Sequence, residues 1–198
     1  YKRQIRDGRI IYIGDERVDD ATEHPAFRDI ARTYSELYDL KAAPEHRDLL
    51  SYEEHGERYS MYYLRPRSKE DLERRTRCHT FINRWSYGLL GRSPDAVAGN
   101  LTGITMKPEI LDVEGGHKGN MLAIYEHLRR DDIFATYAIV PPPGARNPEF
   151  YESRGLDIPA LRVTDETEYG VILNGMKMLA TGAAIANEVT VGNILPIA

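Results

Sequence analysis

Apolar side chains recur every three or four residues in four segments of the first two thirds of the chain, which is the spacing of one face of an α-helix. The first helix is predicted to open between Thr22 and Pro25. The second is predicted to run from a Ser68 cap, with the acidic residue Asp71 three positions later, to Leu90. The third is predicted over 94–106, and the fourth is centred on 121–128. The inner faces consist of Phe27, Ile30, Ala31, Tyr34, Leu37 and Tyr38; Leu72, Arg75/Thr76, His79, Ile82, Trp85/Ser86 and Leu89; Val97, Leu101 and Ile104; and Met121, Ile124, Tyr125 and Leu128.

Strand-like runs dominate the last third. Residues 133–140 are apolar, and 161–164, 171–173 and 189–191 are short β-branched runs, with Asn174-Gly175 predicted as a tight turn between two of them. One further strand is predicted over 10–13. Loops are expected at 44–67, with an extended piece near 59–64, and at 107–119, because both stretches contain proline and glycine. The prolines at 141–143 are expected to forbid regular structure there.

The order of these elements, helices first and strands afterwards, predicts an α+β fold rather than an alternating parallel sheet. We expect a helical domain over 1–132 and an incomplete β-domain over 133–198. The apolar final segment and the small number of strands lead us to expect that the chain is part of a longer polypeptide.

Charge and cysteine content narrow the function classes. The net charge of −5 makes nucleic acid an unlikely partner, and the basic run 74–77 is interpreted as a solvated helix face. Cys78 is the single cysteine, so it supports neither an internal disulfide nor a multi-cysteine metal site, and we expect a buried thiol in a reducing, cytoplasmic protein. No signal peptide or membrane span is recognisable, and no metal site is predicted.

Four segments carry candidate chemistry. The corner 91–95 reads as a helix stop followed by a new N-cap, and it would hold Arg92 as a rigid anion holder. Tyr137 lies between small residues, which suits either a planar ligand or ordinary packing. The stretch 141–148 is either a polyproline recognition motif or a rigid loop at a pocket mouth. The small residues of 177–184 suit either a flat ligand or close strand packing. The tyrosines, 13 in all, are interpreted mainly as surface and interface packing.

Taken together, several segments resemble one family, the 4-hydroxyphenylacetate 3-monooxygenase family, the oxygenase components of two-component flavin-dependent phenol hydroxylases. The matching segments are 12–20 (YIGDERVDD), 22–28 (TEHPAFR), 37–40 (LYDL), 66–72 (PRSKEDL), 91–95 (GRSPD) and 175–181 (GMKMLAT). The resemblance implies an acyl-CoA-dehydrogenase-like fold: an N-terminal helical domain, a middle β-domain and a C-terminal four-helix bundle. This chain would cover the first domain and the start of the second, without the bundle.

The resemblance also implies a chemistry. A separate NAD(P)H-flavin reductase would supply reduced FAD (FADH2), dioxygen would add to give a flavin C4a-hydroperoxide, and one oxygen atom would go to the carbon ortho to a phenol hydroxyl. Arg92 matches the family's arginine at this corner and would favour the phenolate form of the substrate. In this family the complete protein is expected to be a homotetramer, a dimer of dimers.

Two departures from the family pattern concern the substrate. Ala96 stands where relatives commonly carry a tyrosine, and Tyr137 where they commonly carry a histidine; both positions normally contact the phenol hydroxyl. We therefore expect a substrate other than free 4-hydroxyphenylacetate, such as a bulkier, tyrosine-derived or carrier-tethered phenol. Pro143 replaces a glutamine, and Arg146 would face phosphate or the flavin edge. The positions matched to FAD are Tyr137, Ala138, Ile139, Pro143, Arg146 and Thr181.

Two alternatives stay open. A radical dehydratase of the 4-hydroxybutyryl-CoA type shares the fold, but it needs an iron–sulfur cluster with several cysteines, and this chain has one. The other alternative is a non-catalytic fragment or partner-binding module of the same fold.

Overall fold

The computed structural model describes residues 1–90, 95–112 and 116–192, and it divides the chain into two compact units. The first unit comprises 1–136 together with 184–188, and the second comprises 137–183 and the residues from 189 onward. The domain boundary expected after residue 132 stays a prediction.

The first unit contains the four predicted helices. They are α1 (Arg28–Ala42), α3 (Lys69–Trp85), α4 (Asp95–Thr105) and α5 (Lys118–Arg130), and a single turn, α2 (Arg47–Leu50), follows α1. The apolar face of α1 is confirmed, since Ala31, Tyr34 and Leu37 are all buried. A short 3₁₀ helix, Pro108–Leu111, lies within the stretch expected to be a loop.

The capping box of α3 is confirmed, but its predicted end and part of its inner face are wrong. The Ser68 hydroxyl accepts from the Asp71 backbone N–H at 3.1 Å, and the Asp71 carboxylate accepts from the Ser68 N–H at 3.1 Å. The helix ends at Trp85 because Tyr87 adopts a left-handed φ of 52°. Leu72 and Leu89, both placed on the inner face, are 54% and 61% exposed. The buried apolar positions are Cys78 and Ile82, one turn apart, as expected for Cys78.

The segment 44–67, expected to be a loop, contains regular secondary structure, so that prediction is wrong. After α2, a hairpin is formed by β3 (Ser51–Glu54) and β4 (Glu57–Ser60), and a 3₁₀ turn follows at Met61–Tyr63. His55 and Gly56 connect the strands with φ of 53° and 82°, the positive angles that a two-residue hairpin turn requires. A similar pair near the start, β1 (Ile11–Ile13) and β2 (Glu16–Val18), includes one strand that was not predicted.

Tyrosines form much of the core of the first unit. The interpretation of the tyrosines as surface and interface residues is wrong for Tyr52, Tyr62 and Tyr63, while Tyr34 and Tyr125 are buried on predicted apolar helix faces. Tyr34, Tyr52, Tyr62, Tyr63 and Tyr125 are each at most 4% exposed. Their hydroxyls bury well because they reach backbone carbonyls: Tyr125 donates to the Tyr63 carbonyl at 2.5 Å, and Tyr52 donates to the same oxygen at 3.1 Å.

The second unit is built from short strands and turns. The strand β5 (Ala135–Ala138), which the unit boundary divides, is hydrogen-bonded to β8 (Glu188–Val191), and β6 (Arg162–Thr167) pairs antiparallel with β7 (Gly170–Asn174). The hairpin turn lies at 168–169, so Asn174-Gly175 follows β7 instead of connecting two strands of a hairpin. The proline stretch is also more regular than expected. It contains a 3₁₀ helix, Pro143–Arg146, and a short helix, α6 (Pro148–Glu152), which use proline at their first turns.

Candidate functional site

The predicted phenol-binding residues lie on different parts of the chain. Arg92 and its neighbours at 91–94 fall outside the described residues. Ala96 is half-buried in the first turn of α4, in the first unit, with Val97 and Ala98 buried behind it. Tyr137 is half-buried on β5, in the second unit.

All six predicted flavin-binding positions belong to the second unit. Tyr137 and Ala138 are on β5, and the Ala138 carbonyl accepts from the Gly192 N–H at 3.3 Å. Ala138 is 6% exposed, while Tyr137 and Ile139 keep part of their surface accessible. One face of this segment is therefore partly accessible and the other is packed.

The 177–181 segment is held against the end of β5. Met178 donates its N–H to the Val140 carbonyl at 2.8 Å, and the Lys177 ammonium donates to the Ile139 carbonyl at 3.3 Å. The structure therefore brings the motif at 175–181 next to 137–140, although almost 40 residues separate them in sequence. It thereby places Ile139, a predicted flavin position, beside the segment that contains another, Thr181.

The loop after β5 presents a cation. Pro143 opens the 3₁₀ helix and Arg146 closes it, and the Asn147 side chain then caps α6 by accepting from the Phe150 N–H at 3.3 Å. Arg146 is exposed and makes no ion pair with any residue in the described part of the chain. A guanidinium held on a short rigid turn, without a carboxylate partner, suits an anionic ligand.

Backbone conformation at 175–182 is a feature that the sequence analysis did not identify. Leu179 has a φ of 57° and is 75% exposed, an unfavourable backbone for a γ-branched residue, and Gly182 has a φ of 83°. Thr181, between them, donates its N–H to the Leu179 carbonyl at 2.9 Å and exposes its side chain. At Gly175 an added Cβ would lie 2.1 Å from the Ala160 carbonyl oxygen. The glycine and the run of small residues in the sequence could have indicated the unusual backbone of this segment. Nothing in the sequence indicated the positive φ of Leu179.

The described residues hold neither a metal-binding cluster nor a membrane-spanning helix. Within 1–90, 95–112 and 116–192, no group of three or more histidine, cysteine, aspartate or glutamate side chains is arranged to hold a metal ion. No helix of the same residues is long and apolar enough to cross a membrane.

Comparison with known proteins places the chain in a family. A family model, 4-hydroxyphenylacetate 3-hydroxylase N terminal, matches residues 1–197. The oxygenase component of 4-hydroxyphenylacetate 3-monooxygenase from Thermus thermophilus is 36% identical over 183 residues, which are 89% of this chain and 36% of that protein. The 4-nitrophenol 2-monooxygenase oxygenase component of a Rhodococcus species is 35% identical over 190 residues, which are 94% of this chain and 36% of that protein.

Solved structures show the same relationship. The oxygenase component of 4-hydroxyphenylacetate 3-monooxygenase complexed with FAD superposes with a TM-score of 0.84 and 32% identity, over 98% of this chain and 40% of that one. A 4-hydroxybutyryl-CoA dehydratase from N. maritimus has a TM-score of 0.79 at 19% identity, over 99% of this chain and 39% of that one, which shows a shared fold alone. The chain therefore spans well under half the length of the relatives it matches, and its fold is the predicted acyl-CoA-dehydrogenase-like one. By its sequence and its fold, this chain belongs to the 4-hydroxyphenylacetate 3-hydroxylase family and corresponds to the N-terminal portion of its members.

Proposed function

We propose that the complete polypeptide carrying this chain is the oxygenase component of a two-component aromatic hydroxylase, which uses FADH2 and O2 to hydroxylate a phenol ortho to its hydroxyl group. The observation that carries the proposal is the family match over residues 1–197, together with the agreement in fold with an oxygenase component complexed with FAD. When bound, the reduced flavin would supply the oxygen-activating chemistry. The protein would bind it, orient the phenol and keep water out.

The second unit fits a flavin by its own geometry. The exposed Arg146 has no ion pair among the described residues and can meet a phosphate or the polar flavin edge. Leu179 and Gly182 hold the backbone around Thr181 in positive-φ turns, which allows a flat ring to approach the main chain closely. We propose that Tyr137, Ala138, Ile139, Pro143, Arg146 and Thr181 contact the cofactor.

For the phenol, we propose three residues with separate roles. Arg92 would hold the phenolate oxygen, because a nearby cation favours the ionised form of a group whose unperturbed pKa is about 10. Tyr137 would form a hydrogen bond with the same oxygen. It cannot act as a base near neutral pH, in contrast to the histidine that relatives commonly carry at this position. Ala96 lacks the ring and hydroxyl of the tyrosine that relatives commonly carry. The substrate would therefore have one hydrogen-bond donor fewer and more space at this position.

These differences point to a substrate with more bulk than 4-hydroxyphenylacetate. Its phenol hydroxyl loses one tyrosine donor at 96, and the space left there accommodates a larger ring substituent. We propose a tyrosine-derived or carrier-tethered phenol. The range of substrates named for the relatives, from 4-hydroxyphenylacetate to 4-nitrophenol, supports a family scaffold that accepts different phenols.

The remaining partners belong to the same proposal. A separate NAD(P)H-flavin reductase would deliver reduced FAD, and the complete protein would assemble as a homotetramer in the cytoplasm. The buried thiol of Cys78, the only cysteine of the chain, agrees with a reducing compartment.

The test uses the complete polypeptide with a flavin reductase, NADH, FAD and a panel of phenols that includes 4-hydroxyphenylacetate, tyrosine derivatives and carrier-tethered phenols. We expect oxygen-dependent catechol formation, fastest with a substrate bulkier than 4-hydroxyphenylacetate. Absence of any hydroxylated product across the panel would overturn the proposal. Anaerobic titration with reduced FAD separates the alternatives, because a non-catalytic module would show no binding.

The role of Arg92 is tested by Arg92→Ala in the same assay. Losing the cation raises the phenol pKa in the bound state, so we expect kcat/KM to fall at least about 100-fold, as for the loss of a preorganised electrostatic group. The rate should recover in part at a pH high enough to ionise the phenol in solution. Arg77→Ala removes an exposed arginine of α3 and serves as the matched control. Equal activity of both variants would remove Arg92 from the proposed site.

A further inference from the structure

The first unit contains a cavity that the proposed hydroxylation does not use. It has a volume of about 340 Å³ and lies between the C-terminal end of α1, the turn α2, the β3–β4 hairpin and the residues at the end of α5. All of its lining residues belong to the first unit, and none is a predicted flavin or phenol position.

Five cations line this cavity against a single carboxylate. The cations are Lys41, Arg47, Arg58, Arg129 and Arg130, and the carboxylate is Asp132. We call it the cationic cavity. Its lining carries more cations than carboxylates although the chain as a whole has a net charge of −5, and a concave site lined mainly by one sign of charge attracts ions of the opposite sign.

The carboxylates that pair with these cations lie mostly outside the lining. Arg58 contacts Glu53 at 3.3 Å, Arg130 contacts Asp131 at 3.0 Å, and Arg129 contacts Glu54 and Glu126, but none of these acids lines the cavity. Lys41 pairs with Asp132, the one carboxylate of the lining. Arg47 is exposed and has no ion pair within the described part of the chain. Its planar fork of donors matches a carboxylate or phosphate group.

A buried hydroxyl gives a second, independent indication of a ligand. Ser60 lines the cavity and is 7% exposed, yet its Oγ finds no hydrogen-bond partner among the described residues. Buried hydroxyls in folded proteins are nearly always paired. The neighbouring Ser51 shows the usual case, since it donates to the Arg47 carbonyl at 2.5 Å and accepts from Arg58 at 3.1 Å. An oxyanion in the cavity would accept a hydrogen bond from the Ser60 hydroxyl.

We propose that the cationic cavity binds a small organic oxyanion, a phosphate monoester or a carboxylate, with Arg47 and Arg58 holding the anionic group and Ser60 donating to it. The volume exceeds that of a bare oxyanion, and the half-buried Tyr59 offers apolar surface for an attached body. This site is separate from the proposed flavin and phenol residues and does not depend on the proposed function.

The experiment is a calorimetric titration of the complete polypeptide with three probes: inorganic phosphate, phenyl phosphate and benzoate. We expect phenyl phosphate or benzoate to bind more tightly than inorganic phosphate, and the tighter of the two identifies the head group. Binding should weaken as sodium chloride is raised. Failure of all three probes to bind overturns the proposal.

Variants assign the binding to this cavity and not to the phenol-binding residues. Arg47→Gln and Arg58→Gln should each raise the Kd at least tenfold. Ser60→Ala should raise it about threefold without lowering the melting temperature, because the hydroxyl has no partner to lose. Arg32→Gln removes an equal charge from an exposed position of α1 and is the matched control. A Kd unchanged in both Arg47→Gln and Arg58→Gln overturns the site, and one unchanged in Ser60→Ala overturns the role of Ser60.

Discussion

Arg129 is expected to be one of the most important charged residues for the stability of the first unit. Its side chain is 7% exposed and pairs with Glu54 and, at 2.7 Å, with Glu126. The guanidinium also donates to the Tyr52 hydroxyl at 3.2 Å and lies 3.9 Å from the centre of the Tyr59 ring. Burial by itself opposes the charge, but the hydrogen bonds with Glu54 and Tyr52 outweigh it and raise the Arg129 pKa. The guanidinium therefore stays charged at any working pH.

We expect Arg129→Met to lower the free energy of unfolding by about 3 kcal/mol, the lower end of the range for breaking a buried ion pair. The lower end applies because the Glu54 and Glu126 side chains, which lose their ion-pair partner in the variant, are 29% and 49% exposed and can be hydrated instead. Methionine keeps most of the apolar contact with Tyr59. With a urea dependence of roughly 2 kcal/mol per molar, the midpoint should fall by about 1.5 M. Trp85, the single tryptophan, lies at the end of α3 and reports on this unit by fluorescence.

The pH dependence gives a second readout of the same pair. The hydrogen bond from Arg129 lowers the Glu54 pKa in the folded protein. A lowered folded pKa means that this stabilisation is present above the unfolded pKa, about 4.3, and is lost as the pH falls through the folded value. The difference between wild type and Arg129→Met should therefore be full at pH 7 and shrink below about pH 4.

Arg130→Met is the matched control, because Arg130 is the next residue, is 69% exposed and, among the residues that the structure describes, forms an ion pair with Asp131 alone. It should leave the midpoint nearly unchanged. Equal midpoints for wild type and Arg129→Met at pH 7 would refute this reasoning, and so would an Arg130→Met variant that loses as much.

Two further predictions concern local geometry. Gly175→Ala should destabilise the second unit by more than about 1 kcal/mol, since it adds a clash with the Ala160 carbonyl to a φ of 125°. Gly170→Ala is the control, because its φ of 143° is similarly unfavourable but the space around it is open. Measured by hydrogen exchange, it should lose less stability than Gly175→Ala, and the difference is the cost of the clash. Equal losses of stability would contradict the clash. Ser68→Ala should cost about 1 kcal/mol by removing the cap of α3. Ser68→Asp keeps an acceptor and should retain most of the stability in urea unfolding, so equal losses in the two variants would show that the cap contributes little.

Local chemistry made part of this fold predictable. The four main helices follow from their 3.6-residue apolar period, and the Ser68–Asp71 box marks the start of α3 because it satisfies backbone donors within one turn. The end of α3 was predicted too late because Gly88, a glycine typical of helix ends, was not taken as the stop signal; Tyr87 and Gly88 have φ of 52° and 85°. The hairpin at 51–60 was missed because its turn residues, His55-Gly56, are weaker signals than Asn-Gly.

For the candidate site, the sequence supplied the segments and their family. The motif at 175–181 and the strand at 137–140 were both identified from the sequence. Only the folded chain shows that Met178 and Val140 pair, since such long-range pairing is decided by tertiary contacts. The roles of Arg92, Ala96 and Tyr137 remain predictions from the resemblance.

The sequence by itself determined the family, the helical part and the candidate flavin and phenol residues, because motifs and amphipathic periods are local properties. It showed one basic run, 74–77, and the structure turns Arg75 of that run inward, where its guanidinium donates to the Met61, Tyr62 and Leu64 carbonyls. The cationic cavity was decided only by the tertiary structure. Its arginines and lysine come from positions 41 to 130, far apart in sequence, and a concentration of charge in space depends on how the chain packs and not on the order of its residues.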